Sequence, residues 1–252
     1  MAADIIAPPV RFSSHGGDIE GTLYRPRDTA GRSPALVLSP GRSRDIVGLD
    51  WLGRGLAERG HVVLAHRYRD GDVRYYDRDA EDIQVAVSLL AARDDVDAAR
   101  IGLIGHSRGG MGSLLATSAD RRVRATVCLA GPTDHVRMVN GLKAYAPSRH
   151  AEMIHSHGGS PEEAPDYYRA ISAVNHAAAI KVPVLLVYGT LDLVCPHDHG
   201  IWMRDALVAA GNARSRLEVI PGMGHFFEQG FGPYLFDRIV ALAAGWYAET
   251  LL

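Results

Sequence analysis

Residues 101–110 read IGLIGHSRGG, and this stretch decides the fold. A short apolar run leads into Gly-x-Ser-x-Gly, and the helix-compatible segment 111–119 follows at once. A turn this tight leaves no room for side chains at Gly105 and Gly109, and glycine tolerates its strain. The pattern therefore predicts a buried strand, a sharp turn that presents the Ser107 hydroxyl, and a helix.

The predicted turn also places Ser107 where it could act as a nucleophile. It lifts the hydroxyl above the sheet and places the Arg108 backbone N–H at a helix N-terminus, where it can stabilise a developing oxyanion. His106 is expected to point away from the tip of the turn and to have a structural role. Because Gly-x-Ser-x-Gly is a common motif, the alternative is a glycine-rich turn with an incidental serine.

Two further residues complete a nucleophilic arrangement. A serine hydroxyl is a poor nucleophile until a histidine accepts its proton, and that histidine needs a carboxylate to fix its tautomer. Asp192 directly follows an apolar strand run, and His225 lies on a glycine-rich loop after the last such run. We therefore predict a Ser107, Asp192 and His225 triad. The alternatives are that Asp192 caps the next helix, with Asp198 as its competitor, and that His225 is a surface histidine.

Short apolar runs alternate with helix-compatible segments along the whole chain, 1–252, which we interpret as one domain. The alternation predicts an α/β fold, with a mainly parallel twisted sheet covered by helices on both faces. The expected strands are 10–13, 19–24, 35–38, 62–65, 101–104, 126–130, 184–188 and 217–220, with a hairpin loop at 15–18. The expected helices are 50–59, 79–92, 111–119, 199–210 and 234–249.

One interval, 133–181, contains no apolar strand run. We expect it to form a short, cap-like helical insertion above the carboxyl ends of the strands, where ligands bind in open sheets. The alternative is a surface excursion without a role in substrate binding. Four tyrosines, three of them in this interval, are candidate substrate-binding residues: Tyr68, Tyr145, Tyr167 and Tyr168.

The composition excludes several classes of protein. A net charge of −2, with 47% hydrophobic and 22% charged residues, is ordinary for a soluble globular protein and favours neither nucleic acid nor membrane as a partner. The first nine residues lack the pattern of a secretory signal, so we expect a cytoplasmic protein. Cys128 and Cys195 lack metal or redox spacing and are interpreted as free thiols, with one disulfide as the alternative. The sequence leaves a homodimer through the last helix open.

With these residues in view, the chain resembles the α/β-hydrolases over essentially its whole length. Within them it is most similar to the catalytic domain of the prolyl-oligopeptidase family and to dienelactone-hydrolase-like and acetyl-esterase-like enzymes. The segments that carry the resemblance are 79–83, 96–101, 168–172, 180–192 and 221–225. Oligopeptidases of that family carry an N-terminal propeller, for which 252 residues leave no room, so we expect an ester hydrolase rather than a peptidase.

A second oxyanion donor is expected from the loop that begins Ser39-Pro40-Gly41-Arg42. Related loops start His-Gly and this one has Pro-Gly, which leaves the N–H after the glycine in place. We therefore predict that the backbone N–H groups of Arg42 and Arg108 form the oxyanion hole. Four arginines either give the pocket mouth a basic lining or face solvent: Arg42, Arg44, Arg67 and Arg69.

Together these features predict hydrolysis of a small-molecule carboxylic ester through an acyl-enzyme, with no metal or organic cofactor. The same triad is compatible with a peptidase or amide hydrolase, and with a perhydrolase, a lyase or a carbon–carbon bond hydrolase. A ligand receptor on this fold is the alternative from another functional class.

Overall fold

The computed structural model describes residues 4–28, 31–69, 76, 78–227 and 233–251, with only the backbone at 233 and 234. Strands and helices alternate along this part of the chain. The strands are β1 (Ile5–Ile6), β2 (Pro9–Ser14), β3 (Gly17–Pro26), β4 (Ser33–Ser39), β5 (Val62–His66), β6 (Val96–His106), β7 (Val123–Leu129), β8 (Val184–Gly189) and β9 (Arg216–Ile220). The helices are α1 (Asp50–Ala57), α2 (Asp79–Ala91), α3 (Arg108–Ala119), α4 (His135–Tyr145), α5 (Pro147–His157), α6 (Pro165–Ile171), α7 (Asp198–Ala209) and α8 (Pro233–Thr250).

The strands form one open sheet in the order β1-β3-β5-β4-β6-β7-β8-β9, with β2 paired to β3. The pairs that involve β3 are antiparallel, and the five pairs that link β5, β4, β6, β7, β8 and β9 are parallel. The expected mainly parallel sheet is therefore confirmed. Strand β6, which carries the serine turn at its end, lies in the middle of this parallel part.

Two strand boundaries differ from the prediction. Strand β6 begins at Val96 because Ser33 pairs with Val96 before the register shifts, and the polar residues inside this irregularity hide the strand from hydrophobic periodicity. The first hairpin turns within two residues rather than four, since Ser14 pairs with Gly17. His15 and Gly16 have φ values of 48° and 82°, which a two-residue hairpin turn of the primed type requires.

The uninterrupted apolar runs are explained by burial on both faces of the sheet. In β4, Leu36 and Leu38 pack into a cluster with α1 and α8, while Ala35 and Val37 pack into a cluster with α2 on the other face. Side chains alternate between faces along a strand, so each face needs its own apolar set. Helix α3 contributes Met111 and Leu114 to a third cluster that includes α7.

The interval 133–181 folds as α4, α5, α6 and a 3-10 segment, Ala173–Ala179, between β7 and β8. It has a small apolar cluster of its own, centred on Val139, Leu142, Met153 and Tyr168. The helical part of the prediction agrees with this description, whereas the cap function stays a prediction. No helix in the described ranges is long and apolar enough to cross a bilayer.

Candidate active site

Ser107 occupies the turn between β6 and α3 with φ 53° and ψ −118°, which non-glycine residues rarely adopt. Its N–H donates a 2.8 Å hydrogen bond to the carbonyl of Leu129 on β7, which helps to hold the strained turn. A Cβ built on Gly105 would overlap the carbonyl oxygen of Gly109, and one built on Gly109 would overlap that of Ser39. Backbone contacts therefore require both glycines.

The three predicted triad residues lie in one hydrogen-bonded row. His225 Nδ1 is 2.8 Å from Asp192 Oδ2, and His225 Nε2 is 3.0 Å from Ser107 Oγ. They meet because β6, β8 and β9 are parallel, so the loops after these strands open at the same edge of the sheet. Asp192 and His225 are buried, while Ser107 is partly exposed. The arrangement has the geometry of a nucleophile, a base and an orienting carboxylate.

Asp192 serves two sets of donors. Its Oδ1 accepts hydrogen bonds of 2.8 and 2.7 Å from the backbone N–H groups of Val194 and Cys195, while Oδ2 faces His225. Asp192 does not cap the next helix, because α7 begins at Asp198 and its N-cap is His197; the Asp192 carboxylate holds the loop before α7 instead. The competitor Asp198 lies in the first turn of α7.

The side chain of His106 contacts the backbone of His225. Its Nε2 is 2.8 Å from the carbonyl oxygen of His225 and donates to it, since a carbonyl can only accept. Burial and the neighbouring His225 lower the pKa of His106 to about 4, so its ring is neutral at neutral pH. Sequence reasoning assigned His106 a structural role without finding this contact, because its partner lies at the far end of the chain.

One expected oxyanion donor, the Arg108 N–H, directly follows the serine in sequence, and the other, the Arg42 N–H, belongs to the loop after β4. Arg108 is the first residue of α3, and the N–H groups of a first helical turn have no partner within the helix. On the other side, a Cβ built on Gly41 would lie 3.6 Å from Ser107 Cβ. Gly41 and Arg42 both line the cavity onto which Ser107 opens.

The side chain of Arg108 is buried below the turn, which the sequence did not reveal. Its Nε and Nη2 donate to the two oxygens of Asp79 at 2.6 and 2.7 Å. The guanidinium carbon lies 4.8 Å from the ring centre of Tyr68 and 4.6 Å from that of Tyr76. Burial raises the pKa of Asp79 to about 6, although Arg108 acts in the opposite direction. The serine turn is therefore stabilised by a buried ion pair whose guanidinium contacts two aromatic rings.

A cavity of about 770 Å³ adjoins Ser107 and His225. One part of its wall is apolar and formed by Leu49, Trp51, Val194, Phe226, Phe227 and Phe236. The ring centres of Trp51 and Phe236 are 4.6 Å apart, and Phe226 stands half-exposed beside His225. Another part is polar and includes Ser43, Asp45, Arg42 and Arg149.

The insertion reaches this cavity through α5. Glu152 accepts hydrogen bonds from Arg42 and, at 2.7 Å, from Arg149 Nη1. The sequence singled out Arg42 but not Arg149, since nothing local marks which surface of α5 faces the serine. Arg69 instead pairs with Glu81 and Asp82, and Arg67 lines a separate cleft beside β2 and β3.

None of the four candidate tyrosines is among the residues that line the cavity. Tyr68 is buried beside Arg108, and Tyr168 is buried in the insertion with its hydroxyl donating to the carbonyl of Gly159. Tyr167 packs edge-on against His157, and Tyr145 is 60% exposed. Their role in substrate binding stays a prediction, and the aromatic residues found at the cavity come from other elements.

The cysteines take no part in the row of triad side chains. Cys128 and Cys195 are free and buried, and burial raises the pKa of Cys128 to about 11. Over the described residues, no three histidine, cysteine or carboxylate side chains converge as a metal site requires.

The prolyl oligopeptidase family matches residues 38–250 of the chain. An uncharacterised peptidase of Bacillus subtilis, YtmA, is 28% identical over 204 residues, which are 78% of this chain and 77% of that protein. A bis(hydroxyethyl) terephthalate hydrolase of Streptomyces coelicolor is 30% identical over 134 residues, 50% of this chain and 41% of that protein.

Among solved structures, the acylaminoacyl peptidase of Pyrococcus horikoshii superposes with a TM-score of 0.81 at 17% identity, covering 98% of this chain but 42% of that one. A candidate dienelactone hydrolase of Klebsiella pneumoniae superposes with a TM-score of 0.71 at 21% identity, covering 98% and 99% of the two chains. These likenesses establish the fold and confirm the resemblance drawn from the sequence. The chain belongs to the prolyl oligopeptidase family, within the α/β-hydrolases.

Proposed function

We propose that this protein is a serine-dependent hydrolase of small or medium carboxylic esters. The observation that carries the proposal is the hydrogen-bonded row from Asp192 through His225 to Ser107, open to a cavity of about 770 Å³. A buried carboxylate, an imidazole and a strained, partly exposed serine in this order are the groups that acyl transfer needs.

In the proposed mechanism, Ser107 Oγ attacks the ester carbonyl carbon while its proton moves to His225 Nε2. The carbonyl oxygen becomes an oxyanion that accepts hydrogen bonds from the N–H groups of Arg108 and Arg42. The bond to the leaving oxygen then breaks, and His225 returns the proton to the departing alcohol. Asp192 stabilises the imidazolium through Nδ1. Water repeats the sequence on the acyl-enzyme, releases the acid and restores Ser107.

The cavity wall supports an ester with an apolar acyl or alcohol group. Trp51 and Phe236 present a continuous aromatic surface, and Phe226 stands directly beside the base. Such surfaces bind apolar groups by removing them from water, at about 25 cal/mol per Å². Two relatives carry names of ester hydrolases, the terephthalate hydrolase of Streptomyces coelicolor and the cutinase est2 of Thermobifida alba, which is 30% identical over 43% of this chain.

Amide or peptide hydrolysis is the second candidate. It is favoured by the peptidase of Bacillus subtilis, whose match extends over more of the chain than those of the ester hydrolases. Acyl transfer from an amide uses the same triad and differs in the leaving group, which is an amine instead of an alcohol.

The experiment compares p-nitrophenyl acetate and butyrate with the p-nitroanilides of the same acids, in wild type and Ser107→Ala. We expect a burst of p-nitrophenol followed by turnover in wild type, and a loss of about 10⁶-fold in the variant. Higher kcat/KM on the anilides would favour the peptidase. Equal rates in wild type and Ser107→Ala would refute acyl transfer on these substrates and favour a receptor or a different reaction.

A further inference from the structure

Tyr68 makes a contact that the mechanism above does not use. It follows β5, is only 3% exposed, and donates a hydrogen bond of 2.9 Å from its hydroxyl to the carbonyl oxygen of Pro40. Burial raises the pKa of this phenol well above 10, so the hydroxyl keeps its proton and remains a donor. The acceptor belongs to the loop that carries the expected second oxyanion donor.

Within the loop, the Arg44 N–H donates a 3.1 Å hydrogen bond to the Gly41 carbonyl, and the sequence leaves the position of this turn to contacts from outside the loop. Pro40 has no N–H with which to anchor itself, and Gly41 has the freest backbone of any residue. The Pro40 carbonyl belongs to the peptide group that joins Pro40 to Gly41, and the next peptide group carries the Arg42 N–H. Holding that carbonyl restricts where the Arg42 N–H points, and Gly41 lies beside Ser107, since a Cβ built on it would be 3.6 Å from Ser107 Cβ.

A second contact from the end of β5 acts on the same loop. His66 Nδ1 is 2.7 Å from the Arg67 carbonyl and donates to it, so Nε2 accepts from the Ser39 hydroxyl at 3.0 Å. Burial lowers the pKa of His66, which keeps the ring neutral in this arrangement. Ser39, at the end of β4, and Pro40, directly after it, are therefore held by His66 at the end of β5 and by Tyr68 just beyond it.

The ring of Tyr68 is itself located by the serine turn. Its face lies against the Arg108 guanidinium, and that guanidinium is fixed by two hydrogen bonds to Asp79. Arg108 also carries the first expected oxyanion donor on its backbone. One buried unit, Asp79–Arg108–Tyr68, thus connects the residue after the nucleophile to the loop on the opposite side of the oxyanion.

We propose that Tyr68 is a positioning residue of the oxyanion hole: its hydroxyl, braced against Arg108, holds the Pro40-Gly41 peptide and thereby aims the Arg42 N–H at the oxyanion. This inference rests on the proposed function. In this role Tyr68 acts through the Pro40-Gly41 peptide and needs no contact with the substrate or the reacting atoms. Its effect is expected on stabilisation of the tetrahedral state and not on binding of the planar ester.

The test is Tyr68→Phe, which removes one oxygen and leaves the ring on Arg108. Removal of one oxyanion donor costs about 100-fold to 1000-fold in other serine hydrolases, and a misdirected donor costs less. We expect kcat for p-nitrophenyl butyrate to fall about tenfold with KM within twofold of wild type. Inhibition by a trifluoromethyl ketone, which Ser107 converts to a tetrahedral oxyanion, is expected to weaken by the same factor. Inhibition by the matching methyl ketone is expected to change less than twofold.

Tyr247→Phe is the matched control, because it removes another buried tyrosine hydroxyl that donates to a backbone carbonyl, that of Leu103. It is expected to retain wild-type kcat and the wild-type ratio of the two ketone affinities. Ser39→Ala, which removes the contact with His66, is measured in parallel and is expected to show the selective loss. If Tyr68→Phe does not fold, Ser39→Ala tests whether the position of this loop affects stabilisation of the oxyanion.

Wild-type kcat in Tyr68→Phe, or equal weakening of both ketones, would overturn the inference. The activity of Ser107→Ala shows whether such a result contradicts only the role of Tyr68 or also the proposed hydrolase function. An inactive Ser107→Ala with an unaffected Tyr68→Phe refutes only the positioning role, whereas an active Ser107→Ala refutes both.

Discussion

Replacing Asp192 by asparagine leaves one side-chain oxygen to accept the hydrogen bonds of three donors. The carboxylate accepts two backbone N–H groups at Oδ1 and His225 Nδ1 at Oδ2, and an amide offers only one acceptor atom. If the amide oxygen faces the two backbone N–H groups, the hydrogen bond from His225 is lost. If it faces His225, both backbone hydrogen bonds are lost. At about 1 kcal/mol net for each hydrogen bond, more for those to a charged acceptor, the first orientation is favoured by at least one bond.

In that orientation the amide N–H₂ faces His225, which must then accept at Nδ1 and carry its proton on Nε2. The base is lost at the atom that faces Ser107. We expect Asp192→Asn to lower kcat about 10⁴-fold, as loss of the correct tautomer does in other triads, while the free energy of unfolding falls by only about 1–3 kcal/mol.

The assay is kcat for p-nitrophenyl butyrate, with urea unfolding of the same preparations. Asp198→Asn is the control, since Asp198 is the competing carboxylate and lies in the first turn of α7. It is expected to retain wild-type kcat. Turnover in folded Asp192→Asn above about a tenth of wild type would refute the reasoning, as would equal losses in the two variants.

Three further predictions concern the turn, the cavity and pH. Gly105→Ala is expected to lower the melting temperature by more than 10 °C or to abolish soluble expression, because its Cβ meets the Gly109 carbonyl, and a normal melting curve would contradict this. Phe226→Ala removes a half-exposed part of the cavity wall, so KM for the butyrate ester should rise about threefold to tenfold while the melting temperature stays within 2 °C; an unchanged KM would exclude Phe226 from substrate binding. Burial lowers the pKa of three histidines from 6.5 to about 4, namely His106, His157 and His199. Between those values the unfolded chain binds protons that the folded chain does not, so the free energy of unfolding is expected to fall as pH drops from 6.5 towards 4, by up to about 3 kcal/mol for each histidine. The raised pKa of Asp79 acts in the opposite direction but is one group against three, and equal urea midpoints at pH 7 and pH 5 would contradict the prediction.

The sequence predicted those features that depend on local pattern. The strand, turn and helix around Ser107 follow from steric limits at two glycines, and the sheet follows from apolar runs buried on both faces. The positions of Asp192 and His225 were also accessible, because each follows a recognisable strand and parallel strands end at one edge.

Features that depend on contacts between distant segments were not accessible. A tyrosine in a loop has the same local signature whether it faces a cavity or packs on a buried arginine, so the sequence does not reveal the contact of Tyr68 with Arg108. The pairing of Arg108 with Asp79 and the contact of His106 with the His225 carbonyl join segments that only the folded sheet brings together. The start of β6 was missed because it contains polar residues at a register shift.

Helices α4 and α5 share a small apolar cluster with Tyr168, whereas the end of the insertion, from Ile171, packs into the cluster of α3 and α7. The sequence of α4 and α5 can therefore diverge, lengthen or be exchanged with little effect on the folding of the layers that position the serine turn. Helix α5 nevertheless supplies Arg149 to the cavity wall. Changes in this segment thus offer evolution, or a protein engineer, a way to vary substrate range while the chemical machinery is inherited intact.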